Sequence, residues 1–189
     1  MRSPPLLISA FDVVYLTYAG NPAPAHVIHW VDDRPNRVLI VQYDTNNTNK
    51  ATMDALGVPF QHKSDVKPYL LHPEAPAGIV DGPFGVVSSS LQFRCYDTTH
   101  GEITLEDARA NNITPILVGG TTGGVVLGVD LDRHIVYSGD IDLYYSDKGG
   151  NATQGTEWLN TSTLVDTSSN AEKLIFNLWA WIAEVALSE

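Results

Sequence analysis

The sequence predicts an α/β domain of three layers, in which a mainly parallel sheet is flanked by helices and carries a late β-hairpin. Two segments, Phe11–Tyr18 and Arg37–Asp44, are almost continuously apolar, which is typical of strands that helices cover on both faces. Between them lies Ala25–Asp33, whose apolar residues follow helical spacing. A third run of apolar segments near residue 120 is separated by glycine-rich turns, which favours a hairpin. Strands that alternate with helices indicate parallel pairing through right-handed crossovers.

Turn chemistry separates these first elements and adds a second helix. The cluster AGNPAP follows the first strand, and DDRPNR stops the first helix before the second strand. After a polar tip, the segment Lys50–Gly57 predicts a short helix, because Gly57 is suited to a C-terminal cap. The sequence up to this point therefore reads strand, helix, strand, helix.

The remainder is less regular. Five prolines between Val58 and Gly85 argue against a long helix, so this stretch is expected to be mainly loop. Further on, Gly85–Asp97 predicts a strand, and Thr104–Asn112 predicts a helix with a Thr104–Asp107 cap. The segments Pro115–Val118 and Val125–Val129 predict a hairpin, and Ile135–Tyr137 predicts another strand. The last helix is expected to be mostly buried, and it opens on a capping box at Ser169–Glu172.

Composition restricts the class of protein and its partners. The 189 residues are 43% hydrophobic, which is enough for one substantial core, so a single α/β domain over residues 1–189 is expected, excised from a longer protein. The formal net charge of -11 disfavours nucleic acid as a partner. No apolar run reaches the roughly 20 residues of a membrane span. A small polar ligand or a protein partner remains, and no cofactor is expected.

Asp140 and Asp142 are the first candidates for chemistry, because residues two apart on a strand point to one face and could chelate metal in a nucleotidyl-transfer site. A third carboxylate would have to come from Asp166 or beyond, with little chain to present it. Other short patterns have simpler interpretations. Gly119–Gly124 lacks the Lys-Ser/Thr of a phosphate loop and fits a hairpin turn, and His26 and His29 lack a third ligand.

A position in the fold, rather than a motif, suggests a binding edge. Ligands of open α/β sheets bind beyond the carboxyl ends of the strands. The first two strands end at Thr17–Asn21 and Tyr43–Asn47. Hydrogen-bonding side chains and two tyrosine rings, on which a ligand could stack, would meet there. The candidate ligand-binding residues are Tyr18, Asn21, Tyr43, Asp44, Thr45, Asn46 and Asn47. The alternative is that Asp44 and its neighbours only cap the following helix.

Four segments together resemble the class I glutamine amidotransferase-like superfamily, in particular its trehalose-utilisation-type (ThuA-like) and related bacterial members. They are FDVVYL, the helix leading to RVLIVQYD, ALGVPF with HPEAPAGIVDGPFG, and RHIVYSGDIDLY before NAEKLIFNLWAWIAE. The resemblance covers nearly the whole chain and implies a flavodoxin-like sheet, with Gly139-Asp140 ending a late strand. A first strand and helix of the family are absent or reduced before Phe11.

The same resemblance implies that catalysis has been lost. Amidotransferases place a cysteine on the tight turn that follows the strand corresponding to Val38–Tyr43, where a downstream histidine and carboxylate activate it. This chain has QYDTNN there, and its one cysteine, Cys95, lies on another element. We therefore expect a non-catalytic binding or interaction module, part of an exported bacterial surface protein in the periplasm or at the cell surface.

Two alternatives stay open at this point. One is a hydrolase of carbohydrate-like substrates that uses Asp44 with Tyr43 or Asn46. The other is a metal-dependent nucleotidyltransferase that uses Asp140 and Asp142. A concave pocket that contains a carboxylate with a perturbed pKa beside the Asp44 loop would favour an enzyme, whereas a loop filled by its own side chains would disfavour it.

Overall fold

A computed structural model describes residues 11–17, 24–44, 49–64, 68–88, 92–94, 99–140, 156–158 and 170–188 of the chain. These residues form twelve strands, most of them short. In chain order they are β1 (Val13–Leu16), β2 (Val38–Gln42), β3 (Gln61–Ser64), β4 (Tyr69–Leu71), β5 (Asp81–Gly82), β6 (Gly85–Val86), β7 (Gln92–Arg94), β8 (Thr99–Glu102), β9 (Thr114–Gly119), β10 (Val125–Asp130), β11 (Ile135–Ser138) and β12 (Thr156–Trp158).

Eight of these strands form one mixed sheet in the order β1-β2-β11-β10-β9-β4-β7-β12. The pairs β1–β2, β2–β11 and β7–β12 are parallel. The pairs β11–β10, β10–β9, β9–β4 and β4–β7 are antiparallel. The α/β class is confirmed, but the expectation of a mainly parallel sheet is wrong for this part of the chain. Short turns join β9 to β10 and β10 to β11, and strands joined so closely can only run antiparallel.

Helices cover both faces of the sheet. They are α1 (Pro24–Asp32), α2 (Lys50–Leu56), α3 (Ala77–Val80), α4 (Leu105–Ala110) and α5 (Asn170–Leu187). Val38 and Ile40 of β2 belong to a core cluster with α3 and α5, whereas Leu39 and Val41 belong to a second cluster with α1, α2 and α4. This alternation gives the three expected layers. Among the helices that the structure describes, none is long and apolar enough to cross a membrane.

Several local predictions are confirmed. The first two strands pair in parallel, with Val13 opposite Val38. Gly57 ends α2 in the left-handed conformation, at φ 76°, and its amide donates to the carbonyl of Asp54. Thr104 caps α4, because its hydroxyl accepts a hydrogen bond from the Asp107 amide. The late hairpin is formed by β9 and β10.

The stretch expected to be mainly loop contains β3, β4, α3 and β5, and it builds the most consequential feature of the fold. Strands β3 and β8 form a separate antiparallel ribbon. The amide of Gly101, in β8, donates to the carbonyl of Gly139, just after the end of β11, at 2.7 Å. The ribbon therefore lies against the carboxyl ends of β2 and β11, where α/β sheets usually bind ligands.

Two glycines make this docking possible. A β-carbon added at Gly101 would lie 2.1 Å from the carbonyl oxygen of Tyr43, which directly follows β2. One added at Gly139 would lie 2.0 Å from the carbonyl oxygen of Gly101. Both distances are far below van der Waals contact, and the atoms approached are backbone atoms that cannot turn aside. Only glycine lets the three chain segments come this close.

We expect Gly101→Ala to lower the free energy of unfolding by about 3 kcal/mol or more, because the methyl group overlaps fixed backbone. Gly78→Ala is the matched control: a β-carbon there meets nothing within 4 Å, and Gly78 lies in α3. That substitution should be neutral or stabilise by up to about 1 kcal/mol. Urea unfolding measures both variants. Equal stabilities would show that the ribbon does not sit on Tyr43.

Candidate functional site

The expected binding edge at Tyr43 and Asp44 is closed by the chain itself. Tyr43 is fully buried, its hydroxyl donates to the carbonyl of Val125 at 3.0 Å, and its ring packs against Phe60 at 5.4 Å. It is a core residue rather than a stacking face for a ligand. Asp44 is also buried, at 5% exposure. The other candidates at this edge, Tyr18, Asn21, Thr45, Asn46 and Asn47, lie outside the described residues.

Asn49, rather than Asp44, organises this edge. It precedes α2 in the left-handed conformation, at φ 51°, and its side chain makes no capping hydrogen bond to the helix. Its amide group instead donates to the carbonyls of Leu16 at 2.9 Å and Gln42 at 2.8 Å. Asn49 thereby joins the ends of β1 and β2. The residue at the cap position is Asn49 rather than Asp44, and the neighbours Thr45, Asn46 and Asn47, which the capping alternative also included, lie outside the described residues.

The two histidines of α1, His26 and His29, are exposed, as the sequence suggested. The glycine-rich segment Gly119–Gly124 is a hairpin turn, closed by a hydrogen bond from the Gly123 amide to the Gly119 carbonyl at 2.7 Å. Among the described residues, no group of three or more His, Cys, Asp or Glu side chains is placed to hold a metal ion. Asp142, Asp166 and Cys95 lie outside those residues.

Asp140, in contrast, belongs to a buried polar chain. The hydroxyl of Tyr69, in β4, donates to Asp140 Oδ2 at 2.6 Å and lies 3.2 Å from His100 Nδ1. His100 Nε2 lies 3.2 Å from Glu102 Oε1. Tyr69, His100 and Asp140 are fully buried, and Glu102 is 3% exposed. The chain thus runs from the end of β11, through β4, to β8 of the ribbon.

Three hydrogen-bond contacts join the four groups in a row, from Asp140 Oδ2 to Glu102 Oε1. Buried polar groups are costly unless they are hydrogen-bonded, so these contacts lower the cost of placing two carboxyl groups in the interior.

The outer end of the chain forms a wall of a cavity, which we call the ribbon pocket. Glu102 Oε1 also accepts a hydrogen bond from the hydroxyl of Thr122, an exposed residue of the glycine-rich turn. The ribbon pocket has a volume of about 260 Å³. The ribbon, the first residues of α4 and the turn line it, through Gln61, Lys63, Glu102, Thr104, Leu105, Thr122, Gly123 and Gly124.

Within this pocket, two charged groups have unused bonding capacity. Both hydrogen bonds to Glu102 fall on Oε1, and Oε2 accepts none from the residues that the structure describes. Oε2 lies beside Gly124, where an added β-carbon would come within 2.6 Å of it. Lys63 is half-buried, and its ammonium makes no ion pair or hydrogen bond within the described ranges. The pocket therefore offers one acceptor and one cationic donor.

Sequence reasoning did not identify this site, although one signal was present. His100 and Glu102 flank a glycine in a polar segment, and residues two apart on a strand share a face. Tyr69 and Asp140 join them only through strand pairing in the large sheet. Comparison with known proteins gives no further guidance, because no family model, no curated protein and no solved structure matches this chain.

Replacing Tyr69 by phenylalanine removes two of the three hydrogen bonds in the buried chain. We expect Tyr69→Phe to lower the free energy of unfolding by about 1.5–3 kcal/mol, the usual range for hydrogen bonds to charged groups. Tyr137→Phe is the control, since Tyr137 is also buried but its hydroxyl makes no hydrogen bond within the described residues. It should change stability by less than about 0.5 kcal/mol. Similar losses in the two variants, measured by urea unfolding, would contradict the buried chain.

The electrostatics of the closed edge can be tested through Tyr15 of β1. Burial, followed by the nearby charge of Asp44, raises the pKa of Tyr15 from 10.0 to about 12. The unfolded chain therefore loses this proton first, and stability should fall as the pH rises from about 10 to about 12. Asp44→Asn should lower the pKa of Tyr15, because the repelling charge is gone. Ultraviolet titration of tyrosinate, with Tyr15→Phe as the reference, measures it. An unchanged value in Asp44→Asn would place Asp44 away from Tyr15.

Proposed function

We propose that this chain is a non-catalytic binding module of the amidotransferase-like type, and that it binds a small polar ligand in the ribbon pocket. The observation that carries the proposal is Glu102 Oε2, a carboxylate oxygen in a residue that is 3% exposed, which lines a cavity and accepts no hydrogen bond from the described residues. A carboxylate oxygen at the wall of a cavity is an acceptor that a ligand with a hydrogen-bond donor can use in place of water.

The site is also held rigidly, which favours binding. Oε1 of Glu102 is fixed by His100 on one side and by Thr122 on the other. His100 is in turn fixed by Tyr69 from the large sheet. A carboxylate that is already oriented loses little conformational freedom when a ligand arrives. The buried chain therefore prepares the acceptor before the ligand is present.

Several features support the amidotransferase-like and flavodoxin-like part of the proposal. Strands β1, β2 and β11 are parallel neighbours, Gly139-Asp140 follows β11, and α5 begins at Asn170. The turn where the family carries its nucleophile begins here with Tyr43 and Asp44, which are buried. The four antiparallel strand pairs depart from the family's sheet. That the module belongs to an exported bacterial surface protein stays a prediction.

No contact among the described residues supports either of the alternative functions, the hydrolase or the nucleotidyltransferase. A hydrolase at Asp44 would need an open cleft beside that residue, and Tyr43 and Asp44 are buried there. A nucleotidyltransferase would need Asp140 to face a metal, and its Oδ2 accepts the hydroxyl of Tyr69. By contrast, the ribbon pocket combines a cavity with an oriented carboxylate. Binding there is the function that the contacts favour.

Nuclear magnetic resonance with mixtures of small sugars, polyols, organic acids and amino acids tests the proposal. We expect at least one compound to shift the backbone amides of Gly123 and Gly124 while its own spectrum stays unchanged over hours. The amide of Gly78, on the far helix α3, serves as the internal control and should not move. Conversion of a compound to products would overturn the non-catalytic assignment, and shifts centred on Tyr43 and Asp44 would move the site.

A further inference from the structure

The outer side of the last helix, α5, carries an apolar surface that is not part of the ribbon pocket. We propose that this surface joins two copies of the chain into a dimer, in which α5 of one copy packs antiparallel against α5 of the other. The proposed dimer does not depend on the ribbon pocket. The apolar pattern of α5, the hairpin beside the helix and the positions of two opposite charges support it.

Apolar residues lie on nearly every side of α5. Its inner side is buried in the core through Leu174, Ile175, Leu178 and Ile182. Residues three, four or seven positions apart share one side of a helix, and a second apolar row follows this spacing on the outer side. This row, which we call the α5 face, is half-buried or exposed and consists of Phe176, Trp179, Ala180, Ala183 and Leu187. A helix that is hydrophobic all round is normally buried, so we expect another surface to cover the α5 face.

The surface around the α5 face is held in place by the β5–β6 hairpin. Asn177 accepts a hydrogen bond from the Phe84 amide and donates one to the Gly85 carbonyl, both at 2.9 Å, which fixes the hairpin to α5. The ring of Phe84 lies 5.4 Å from the ring of Phe176. Leu187 is 82% exposed, and Val86 of β6 is 62% exposed. A surface that is already ordered loses little conformational freedom on association.

Two charged residues beside the α5 face match a second copy of the same face. Lys173 and Glu184 are the only charged residues of α5 that are not buried. They are eleven positions apart, close to three full turns, so they lie on the same flank of the helix. Along the axis they are separated by roughly 16 Å, too far to pair with each other. Neither makes an ion pair within the described residues.

An antiparallel pair brings these charges together. In a dimer with two-fold symmetry, residues at equal distances from the crossing point, on the same flank, face each other. The midpoint between Lys173 and Glu184 falls between Leu178 and Trp179. The segment from Phe176 to Ala183 has its centre one residue further on, so the crossing that pairs the charges also buries the apolar residues. Lys173 of each copy then lies opposite Glu184 of the other copy.

The charge of the whole chain favours this orientation over others. With a formal net charge of -11, two copies repel each other over much of their surfaces. At the α5 face the charges of Lys173 and Glu184 cancel, so repulsion is smallest there. The 18 residues of α5 extend about 27 Å. One helix and a short hairpin cover less than the roughly 800 Å² per partner of a standard interface, so we expect a weak dimer.

Charge reversal tests the dimer by analytical ultracentrifugation at concentrations from about 1 μM to about 1 mM. Lys173→Glu and Glu184→Lys should each raise the dissociation constant at least about tenfold, because two attractive contacts become repulsive. Both variants should fold, since each places the charge that the helix dipole favours at that end of α5. The double variant Lys173→Glu/Glu184→Lys restores opposite charges and should bring the dissociation constant back to within about threefold of the original.

Mixing the two single variants makes the test specific for antiparallel pairing. A dimer with one copy of each variant has opposite charges at both contacts, so the equimolar mixture should associate at least about tenfold more tightly than either variant alone. Lys50→Glu and Asp54→Lys, on the exposed surface of α2, change the net charge equally and are the controls. Each should change the dissociation constant by less than about twofold. An unaltered chain that stays monomeric, or a mixture that associates no better than its components, would overturn the proposed dimer.

Discussion

The close contact of three backbone segments, at Tyr43, Gly101 and Gly139, is the constraint on which the rest of the structure depends. Parallel strands leave their carboxyl ends open, and in most α/β proteins a ligand or a catalytic loop occupies that edge. Here the β3–β8 ribbon occupies it, through the hydrogen bond from the Gly101 amide to the Gly139 carbonyl. The missing β-carbons of the two glycines allow an approach that no other residue permits. At Tyr43 this edge is therefore closed by backbone.

Closing the edge also creates the buried chain of polar groups. When the ribbon docks, His100 and Glu102 are carried into the protein beside Tyr69 and Asp140. Such groups are tolerated in a core only when each one is hydrogen-bonded. The chain meets this requirement along its length until it reaches Glu102 Oε2 at the ribbon pocket. Docking of the ribbon and formation of the candidate site are thus consequences of one packing event.

The sequence predicts the elements whose signals are local. The parallel pair β1–β2 follows from two continuous apolar runs, the end of α2 follows from Gly57, and the start of α4 follows from the cap at Thr104. The ribbon could not be predicted in the same way, since β3 reads Gln-His-Lys-Ser and has no apolar alternation. Strand β4 is only three residues long, and it is recognisable as a strand only because it pairs with β9 and β7. The ribbon pocket depends on the ribbon, so local patterns place the core correctly but do not indicate this pocket.

Stability alone does not account for the chain from Asp140 to Glu102. Replacing buried ionic groups by well-packed apolar side chains is often neutral or stabilising, so a polar chain is weak support for a purely structural role. A chain that served only to fasten the ribbon could end at a satisfied group inside the core. This one continues to the wall of a cavity and leaves one carboxylate oxygen facing it, beside an ammonium that no described residue neutralises. An acceptor that is held in place at the wall of a cavity, in the same lining as a lysine, supports the ligand binding that we propose more than a purely structural role.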